Sequence, residues 1–150
     1  MKRITATSVE YIRQIAQIQA QMLQKDPLAP RQSKNMTCAL YEEMIQRRID
    51  LSEDFVEAKI ENGQVKAFIW AHHDKTLRTV TIESLYVVPT YRHQGIATSL
   101  KKDAELWAIE HHAQQMIGTV LEGNEPMRTL NEKLGYTVQK VVMRKTLDEV

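Results

Sequence analysis

Apolar residues in the first third of the chain follow helical spacing. A short strand is predicted at residues 3–6, ahead of a capping-box pattern, Thr7-Ser8-Val9-Glu10. From Ile12 to Leu23 apolar residues recur every three or four positions, which predicts a helix that stops before Pro27. After a loop at 27–35, a second helix is predicted to carry one apolar face, made of Leu40, Tyr41, Met44 and Ile45.

The middle of the chain changes to the two-residue period of β-strands. Val56, Ala58 and Ile60 alternate with polar residues, and the alternation resumes after Asn62-Gly63. Asn-Gly is the pair that a tight hairpin turn favours, because both central residues need a positive φ. A second turn at 73–76 and a long strand at 77–88 complete a run of three predicted strands.

Apolar parity slips inside the third of these strands. Val80 and Ile82 are even-numbered, whereas Leu85 and Val87 are odd-numbered. One interpretation is a β-bulge near Ser84, which would bend the strand and stop it pairing with its neighbour. A strand buried on both faces would also blur the parity, so both interpretations stay open at this point.

The last third of the chain predicts a helix, a strand, a helix and a strand. The first helix begins near Gln94 and carries an apolar stripe, with Lys101 and Lys102 on its solvated face. A short apolar strand is predicted at 115–121. Pro126 and Gly135 mark the first turn and the end of the last helix, before one long or two short strands at 136–147. This order indicates a mixed sheet with helices on both faces, in a single domain over 1–150.

Composition and charge narrow the classes of function. With 150 residues, 43% apolar and 26% charged, the chain is typical of one globular domain. The net charge of +1 includes no long run of one sign, so nucleic-acid binding through a basic field is not expected. No apolar stretch approaches the ~20 residues that span a bilayer, and Cys38 is the only cysteine. The expected compartment is the cytoplasm, with no membrane partner.

The segment at 92–97 carries the clearest chemistry. A strand ends at Val88-Pro89, a short loop turns, and a helix opens with the small residues Gly95 and Ala97. N–H groups at a helix N-terminus lack backbone partners and attract anions. Small residues let a pyrophosphate approach the backbone, and Arg92 adds a charged donor. The alternative is a simple loop glycine beside a solvated arginine.

These residues resemble the cofactor motif Gln/Arg-x-x-Gly-x-Gly/Ala of the GNAT superfamily of acyl-CoA-dependent N-acetyltransferases. In this chain the motif is Arg92-His93-Gln94-Gly95-Ile96-Ala97, after the family-like Leu85-Tyr86-Val87-Val88-Pro89. A second stretch begins with Asn124-Glu125-Pro126-Met127 and ends with Leu134-Gly135-Tyr136. It is similar to the family's later Asn-containing helix and its Leu-Gly-aromatic ending.

The resemblance implies an α/β, GNAT-like fold: a central mixed β-sheet of six to seven strands, about four flanking helices and a bulged fourth strand. It also implies an enzyme that transfers the acetyl group of acetyl-CoA directly to a primary amine in a ternary complex. Leu85, Tyr86 and Val87 would pair with the pantetheine arm, the Val87 N–H would polarise the thioester carbonyl, and Asn124 would contact the arm. The pyrophosphate would be bound by backbone N–H groups of Arg92, His93, Gln94, Gly95, Ile96 and Ala97.

The transfer needs a base, because a primary amine with a pKa near ~10 is charged at neutral pH. Glu83, just before the suspected bulge, is the candidate base by analogy, and a salt-bridged or solvent-facing strand residue is the alternative. Many family members carry Tyr at the position of Asn131, where it protonates the departing thiolate. Asn cannot act as an acid. Asn131 would therefore only donate a hydrogen bond to sulfur, or the acid would be Tyr86 or Tyr91, or no acid is used.

The acceptor is predicted to be a small cationic molecule. Acidic residues outnumber basic ones between positions 41 and 61, and this excess would attract a cation if it lines the acceptor groove. Ordinary surface charge is the alternative. A protein amine as acceptor, or a catalytically silent acyl-CoA-binding protein, stays open as well, and so does a homodimer. No metal is expected, because neither His72-His73 nor His111-His112 has chelating geometry.

Overall fold

The computed structural model of the protein describes residues 1–25 and 33–147, which fold into two compact units, Met1–Gly118 and the residues from Thr119 onward. None of the helices in this described part of the chain is long and apolar enough to cross a membrane. The elements in chain order are β1 (Lys2–Arg3), α1 (Val9–Gln24), α2 (Lys34–Asp50), β2 (Asp54–Glu61), β3 (Gln64–Asp74), β4 (Thr79–Val87), a 3-10 turn (Pro89–Tyr91), α3 (Ile96–Glu110), β5 (Gln115–Gly118) and α4 (Glu125–Lys133).

All described strands lie in the first unit and form one sheet in the order β1-β2-β3-β4-β5. Strands β1 to β4 pair antiparallel, and β5 pairs parallel with β4, so the sheet is mixed, as the sequence predicts. Asn62 and Gly63 connect β2 to β3 with φ values of 52° and 73°. These positive values are the ones that the predicted Asn-Gly hairpin turn requires.

Helices cover both faces of this sheet. On one face α3 packs against the sheet through a buried cluster that includes Ile69 and Leu100. On the other face α1 and α2 contribute Ile15 and Ile45 to a second buried cluster, which includes Phe68 of β3. Consecutive residues of β3 therefore serve opposite cores, because successive strand side chains point to opposite faces.

A β-bulge at Glu83 explains the parity slip in β4. Ile82 pairs with Ala71 and Ser84 pairs with Trp70, so Glu83 is the extra residue. Because of this insertion, the even-numbered and the odd-numbered apolar residues on either side of it all pack on the α3 face: Val80, Ile82, Leu85 and Val87. The predicted bulge is confirmed, one residue from its expected position.

The prediction of six to seven strands is wrong for the described part of the chain, which has five. Residues 136–147 were predicted to supply a strand, yet no strand is assigned there. Val142 and Met143 within this stretch are 83% and 90% exposed. A strand needs a neighbouring edge for its N–H and C=O groups, and an apolar pattern does not by itself supply that edge.

Lys101 is also placed differently from the prediction of a solvated helix face. It is only 2% exposed, and burial lowers the pKa of its ammonium group to about 8, although Glu105 acts in the opposite direction. Lys101 stands three residues before Ala104 and seven before Ala108, both of which are buried. This spacing puts the lysine on the buried stripe of α3.

The second unit contains α4 and its two end signals. The Oδ1 atom of Asn124, the N-cap residue, accepts a hydrogen bond from the Met127 N–H at 3.3 Å. At the other end Gly135 has a φ of 92°, and the Tyr136 N–H donates to the Asn131 carbonyl at 2.9 Å. This is the Schellman ending that Gly135 predicts, because glycine adopts the left-handed conformation at little cost.

Candidate active site

Strands β4 and β5 lie side by side over only four residues. The parallel pairs run from Thr79–Gln115 to Ile82–Gly118, and the ladder ends where the bulge inserts Glu83. β4 continues to Val87 with β3 on its other side. Within the described strands, the stretch of β4 after the bulge therefore has one paired edge and one open edge.

The backbone groups that face the open edge follow from strand alternation. The Val88 N–H donates to the Lys66 carbonyl of β3 at 2.9 Å. The N–H groups of Leu85 and Val87 therefore point the opposite way, away from β3. The Val87 carbonyl supports this direction, because it accepts from Arg92 Nε at 2.9 Å. An extended chain that carries amide groups can pair with such an edge in the manner of an added strand.

The N-terminus of α3 opens beside the end of β4. Gly95 is the N-cap residue with a φ of 79°, and its carbonyl accepts the Ser99 N–H at 3.0 Å. No side chain among the described residues caps this end, so the N–H groups of the first turn are available to a ligand. A Cβ atom built on Gly95 meets no atom within 4 Å. The backbone therefore leaves room for an anion such as a pyrophosphate.

The exposed residues of the loop add polar groups to this site. Arg92, His93 and Gln94 are exposed, and His93 has a positive φ of 64°. The hydrogen bond from Arg92 Nε to the Val87 carbonyl holds the guanidinium group near the end of β4. Its two Nη groups remain suited to a phosphate, because the guanidinium carries five N–H donors in one plane.

Glu83 lies beside a buried charge network. Its side chain is 33% exposed, and its Oε1 is 3.9 Å from Arg48 Nη1. Arg48 belongs to the last turn of α2, and the same Nη1 atom lies 4.0 Å from Asp54 Oδ2. One guanidinium therefore lies between two carboxylates, one of which, Asp54, also contacts His72.

Asp54 anchors this network inside the protein. Its side chain is fully buried, and it accepts hydrogen bonds from Trp70 Nε1 and His72 Nδ1, each at 2.5 Å. Burial raises the pKa of Asp54, while the bonds from Trp70 and His72 and the charges of His72 and Arg48 lower it. The donors therefore offset part of the cost of placing a carboxylate in a low-dielectric environment.

No sequence motif assigns Arg48 or His72 to the site, and Asp54 belongs to the acidic stretch between positions 41 and 61. No local spacing links these residues, since they come from α2, β2 and β3. The missing signal is the strand register, which places Asp54 directly opposite His72. A cross-strand pairing of Asp with His would have indicated the network.

The remaining candidate residues are distributed as follows. Asn124 and Asn131 both belong to the second unit, where Asn124 caps α4 and Asn131 lies in its last turn. Tyr91 donates its hydroxyl hydrogen to Glu61 at 2.6 Å, which raises the Tyr91 pKa and makes it a weaker acid than a free phenol. Tyr86 is half-buried near Phe68, with 6.4 Å between ring centroids. The catalytic and cofactor-binding roles of all these residues stay predictions.

No group of three or more His, Cys, Asp or Glu side chains within the described residues is arranged to hold a metal ion. The features that stand out are instead the divergence of two parallel strands at a bulge and the uncapped helix N-terminus beside it. Together with the mixed sheet and its flanking helices, they are the features that the resemblance to the GNAT superfamily implies.

The family model described as the acetyltransferase (GNAT) family matches residues 17–136 of this chain. The match covers well over half of the sequence, and the chain belongs to this family. A comparison with curated protein sequences gives no match.

Solved structures support the same assignment. A Staphylococcus aureus protein assigned to the GNAT acetyltransferases is 34% identical, with a TM-score of 0.72 over 79% of this chain and 98% of that chain. AAC(6')-Iy, bound to the bisubstrate analogue CoA-S-monomethyl-acetylneamine, is 18% identical, with a TM-score of 0.67 over 98% and 97%. The soil metagenomic aminoglycoside acetyltransferase meta-AAC0020, in complex with sisomicin, is 12% identical, with a TM-score of 0.69 over 99% and 94%. At such low identity the last two structures show a shared fold.

Proposed function

We propose that this protein transfers the acetyl group of acetyl-CoA to a primary amine of a small cationic molecule, within a single N-acetyltransferase domain over 1–150. The observation that carries the proposal is the open edge of β4 beside the uncapped N-terminus of α3, in a member of the GNAT family. One feature suits an extended amide-containing arm, and the other suits a pyrophosphate. Coenzyme A contains both groups next to each other.

The pyrophosphate end is assigned to the loop and first turn around Gly95. The N–H groups there point out of the helix and carry a partial positive charge. Each charge-assisted hydrogen bond contributes about 1.5–3 kcal/mol, so a few such bonds suffice to hold the nucleotide end. Arg92 and the backbone of His93, Gln94, Ile96 and Ala97 complete this set, and the open space in front of Gly95 accommodates it.

The thioester end is assigned to the open edge of β4. The backbone N–H and C=O groups of Leu85 and Val87 point toward this edge, whereas those of Tyr86 between them point toward β3. The Val87 N–H is the donor proposed to stabilise the negative charge that develops on the carbonyl oxygen during attack. Acetyl-CoA supplies an acyl group on a thiolate leaving group whose conjugate thiol has a pKa near ~8.5, which makes departure favourable.

The proton of the attacking amine is assigned to Glu83, directly or through one water molecule. A carbon–nitrogen bond forms as the carbon–sulfur bond breaks, and Glu83 accepts the proton that the nitrogen loses. Arg48, at 3.9 Å, holds the Glu83 carboxylate in place. Asn124 is proposed to contact the pantetheine arm, and Asn131 to donate a hydrogen bond to the departing sulfur.

A cationic acceptor is supported by the charge around Glu83. Asp54 is buried against Trp70 and His72, whereas the Glu83 carboxylate is partly exposed and is the group that a cationic amine would approach. Two proteins of the same fold were solved with an aminoglycoside or an aminoglycoside-derived analogue. The proposed acceptors are therefore polyamines and aminoglycoside-like molecules.

A panel of amines tests this function. CoA release from acetyl-CoA is measured with an aminoglycoside, a polyamine, an amino-acid amide and a lysine-containing peptide, and the product is identified by mass spectrometry. We expect release with the small polycations and little with the peptide. Preferential acetylation of the peptide would identify a protein acetyltransferase. Tight CoA binding without turnover of any amine would identify a silent acyl-CoA-binding protein and contradict the proposal.

A further inference from the structure

A cavity lies in the first unit, far from the proposed active site. It has a volume of about 240 Å³, and its lining residues are His73, Lys75, Arg78, His111 and His112. It opens where β3 ends, beside the C-terminal end of α3. The proposed pyrophosphate site is at the N-terminal end of the same 15-residue helix, roughly 22 Å away along the helix axis.

The lining of this cavity is entirely basic. Two permanent cations and three imidazoles line it, and no carboxylate among the described residues does, although the whole chain has 20 Lys and Arg against 19 Asp and Glu residues. Arg78 Nε donates to the His112 carbonyl at 3.3 Å, which ties the turn after β3 to the end of α3. His111 Nδ1 lies 2.8 Å from the Trp107 carbonyl. Since a carbonyl only accepts, Nδ1 carries the hydrogen, and Nε2 is the atom available to a ligand.

His73 gives independent evidence that a ligand belongs here. Its side chain lines the cavity but is only 5% exposed, and neither ring nitrogen has a hydrogen-bond partner among the described residues. Its ring lies edge-on to Trp107 at 6.1 Å and to His111 at 6.5 Å, measured between ring centroids. Buried polar side chains are nearly always hydrogen-bonded. A polar ligand that reaches these two buried nitrogens would supply the hydrogen bonds that they lack.

We propose that this cavity is a binding site for a small oxyanion of the phosphate type, held by His73, Lys75 and Arg78. An anion explains the exclusively basic lining, because a metal ion would be repelled by the two permanent cations. The cavity, with a volume of about 240 Å³, has room for a small oxyanion. His111 and His112 also line the site.

Anion binding at this site is coupled to proton uptake. In the empty site burial is the main cause that lowers the His73 pKa, and His111, Lys75 and His72 lower it further, whereas Asp74 raises it. Arg78 adds positive charge from the turn after β3, and the imidazole of His112 lines the same cavity. A bound oxyanion neutralises this surplus and favours the protonated imidazole. The affinity for an oxyanion of fixed charge therefore rises as the pH falls through the range in which His73 takes up its proton.

The experiment uses inorganic phosphate, with chloride at matched ionic strength as the reference. Because phosphate could also bind at the N-terminus of α3, the histidine resonances in NMR serve as the local reporter, assigned by the loss of one signal in His73→Phe. Phosphate is expected to shift the His73 resonance and to raise its apparent pKa. The exposed residues Lys75 and Arg78 are replaced together by glutamine, which leaves the buried side chains untouched and should weaken this binding at least about tenfold.

The double variant Lys25→Gln/Arg144→Gln removes two exposed positive charges elsewhere and is expected to keep the wild-type response. Adenosine monophosphate is a second probe, and a site for small oxyanions predicts no stronger response to it than to inorganic phosphate. A His73 resonance that ignores phosphate, or one that responds equally in the Lys75/Arg78 variant, would overturn the proposal. So would a response to the nucleotide but not to phosphate.

Discussion

Glu83 is itself the extra residue of the β-bulge, and this insertion determines its position. The bulge turns Glu83 out of the regular alternation of β4 and leaves its carboxylate 3.9 Å from Arg48, at the point where the parallel ladder ends. At a regular ladder position the carboxylate would point toward one of the two helical layers. The insertion thus places a partly solvated carboxylate where β4 and β5 separate.

Replacing Glu83 with Gln is expected to lower turnover about 100-fold or more, since the attacking amine loses its proton acceptor. Raising the pH should restore part of the rate, because more of the amine is neutral in solution. Affinity for CoA, measured by calorimetry, should stay unchanged. Glu10→Gln, which removes an exposed carboxylate on α1, is the matched control. Full activity of Glu83→Gln at every pH would contradict the assignment and make Asp54 and His72 the next candidates for the base.

Asn131 has a smaller role in the proposed reaction, because an amide cannot release a proton to the thiolate. Asn131→Ala is expected to reduce kcat by less than Glu83→Gln does, through the loss of one hydrogen bond to sulfur. Asn131→Tyr, which introduces the residue common in the family, should equal or exceed the wild type. Steady-state kinetics with one amine decides the point. Abolished turnover in Asn131→Ala alone would show that this residue does more than stabilise sulfur.

At the scale of single elements, α3 has a proposed phosphate site at its N-terminus and a buried lysine, Lys101, in its middle. Its N-terminus has no side-chain cap, and Gly95 before it adopts a φ of 79°. Glycine at this position avoids the strain of about 1–2 kcal/mol that a Cβ atom brings to the left-handed region. It also keeps the surface free for the proposed phosphates.

These two effects of Gly95 can be separated by a matched glycine. Gly63, in the hairpin between β2 and β3, has a φ of 73°, and a Cβ atom there also meets nothing within 4 Å. Gly95→Val and Gly63→Val should therefore lose similar stability in thermal unfolding. Only Gly95→Val is expected to weaken CoA binding, by about tenfold or more. Equal CoA affinity in both variants would mean that the phosphates bind elsewhere.

Lys101 predicts a specific pH dependence of stability. Its pKa is about 8 in the folded protein against 10.5 as the ordinary value, so between these pH values the unfolded chain binds more protons. The free energy of unfolding therefore rises with pH across this window, by about 1–3 kcal/mol. Denaturant unfolding should show the rise in the wild type and in the exposed variant Lys102→Met, but not in Lys101→Met. The same rise in Lys101→Met would assign it to another group.

At the scale of the whole molecule, ligand binding should be visible as stability. Acetyl-CoA at 100 times its dissociation constant adds about 2.7 kcal/mol to the free energy of unfolding. For a chain of this size the increment corresponds to a rise in Tm of roughly 5–10 °C. Differential scanning fluorimetry measures it, with Gly95→Val as the variant expected to respond weakly. An unchanged Tm at millimolar acetyl-CoA would contradict the proposed function.

Much of the fold and part of the candidate site could be predicted from the sequence, because the signals act over a few residues. Asn62-Gly63 indicates its turn, since both positions need a positive φ. The slip in apolar parity indicates the bulge, and Gly135 indicates the end of α4. The motif at 92–97 likewise lies on one local feature, a loop that leads into a helix N-terminus. Local backbone preferences and side-chain periodicity are sufficient for all of these.

Features that depend on contacts between distant parts of the chain were decided only by the tertiary structure. The strand register brings Asp54 opposite His72, and the end of α2 brings Arg48 between Asp54 and Glu83. The packing of α3 on the sheet buries Lys101, whose residue type by itself favours solvent. Residues 136–147 have a strand-like pattern but no strand, because a strand requires a neighbouring edge and its own sequence does not specify one. Burial, charge pairing and strand pairing are properties of the assembled chain, and they produce the proposed catalytic environment and the basic cavity.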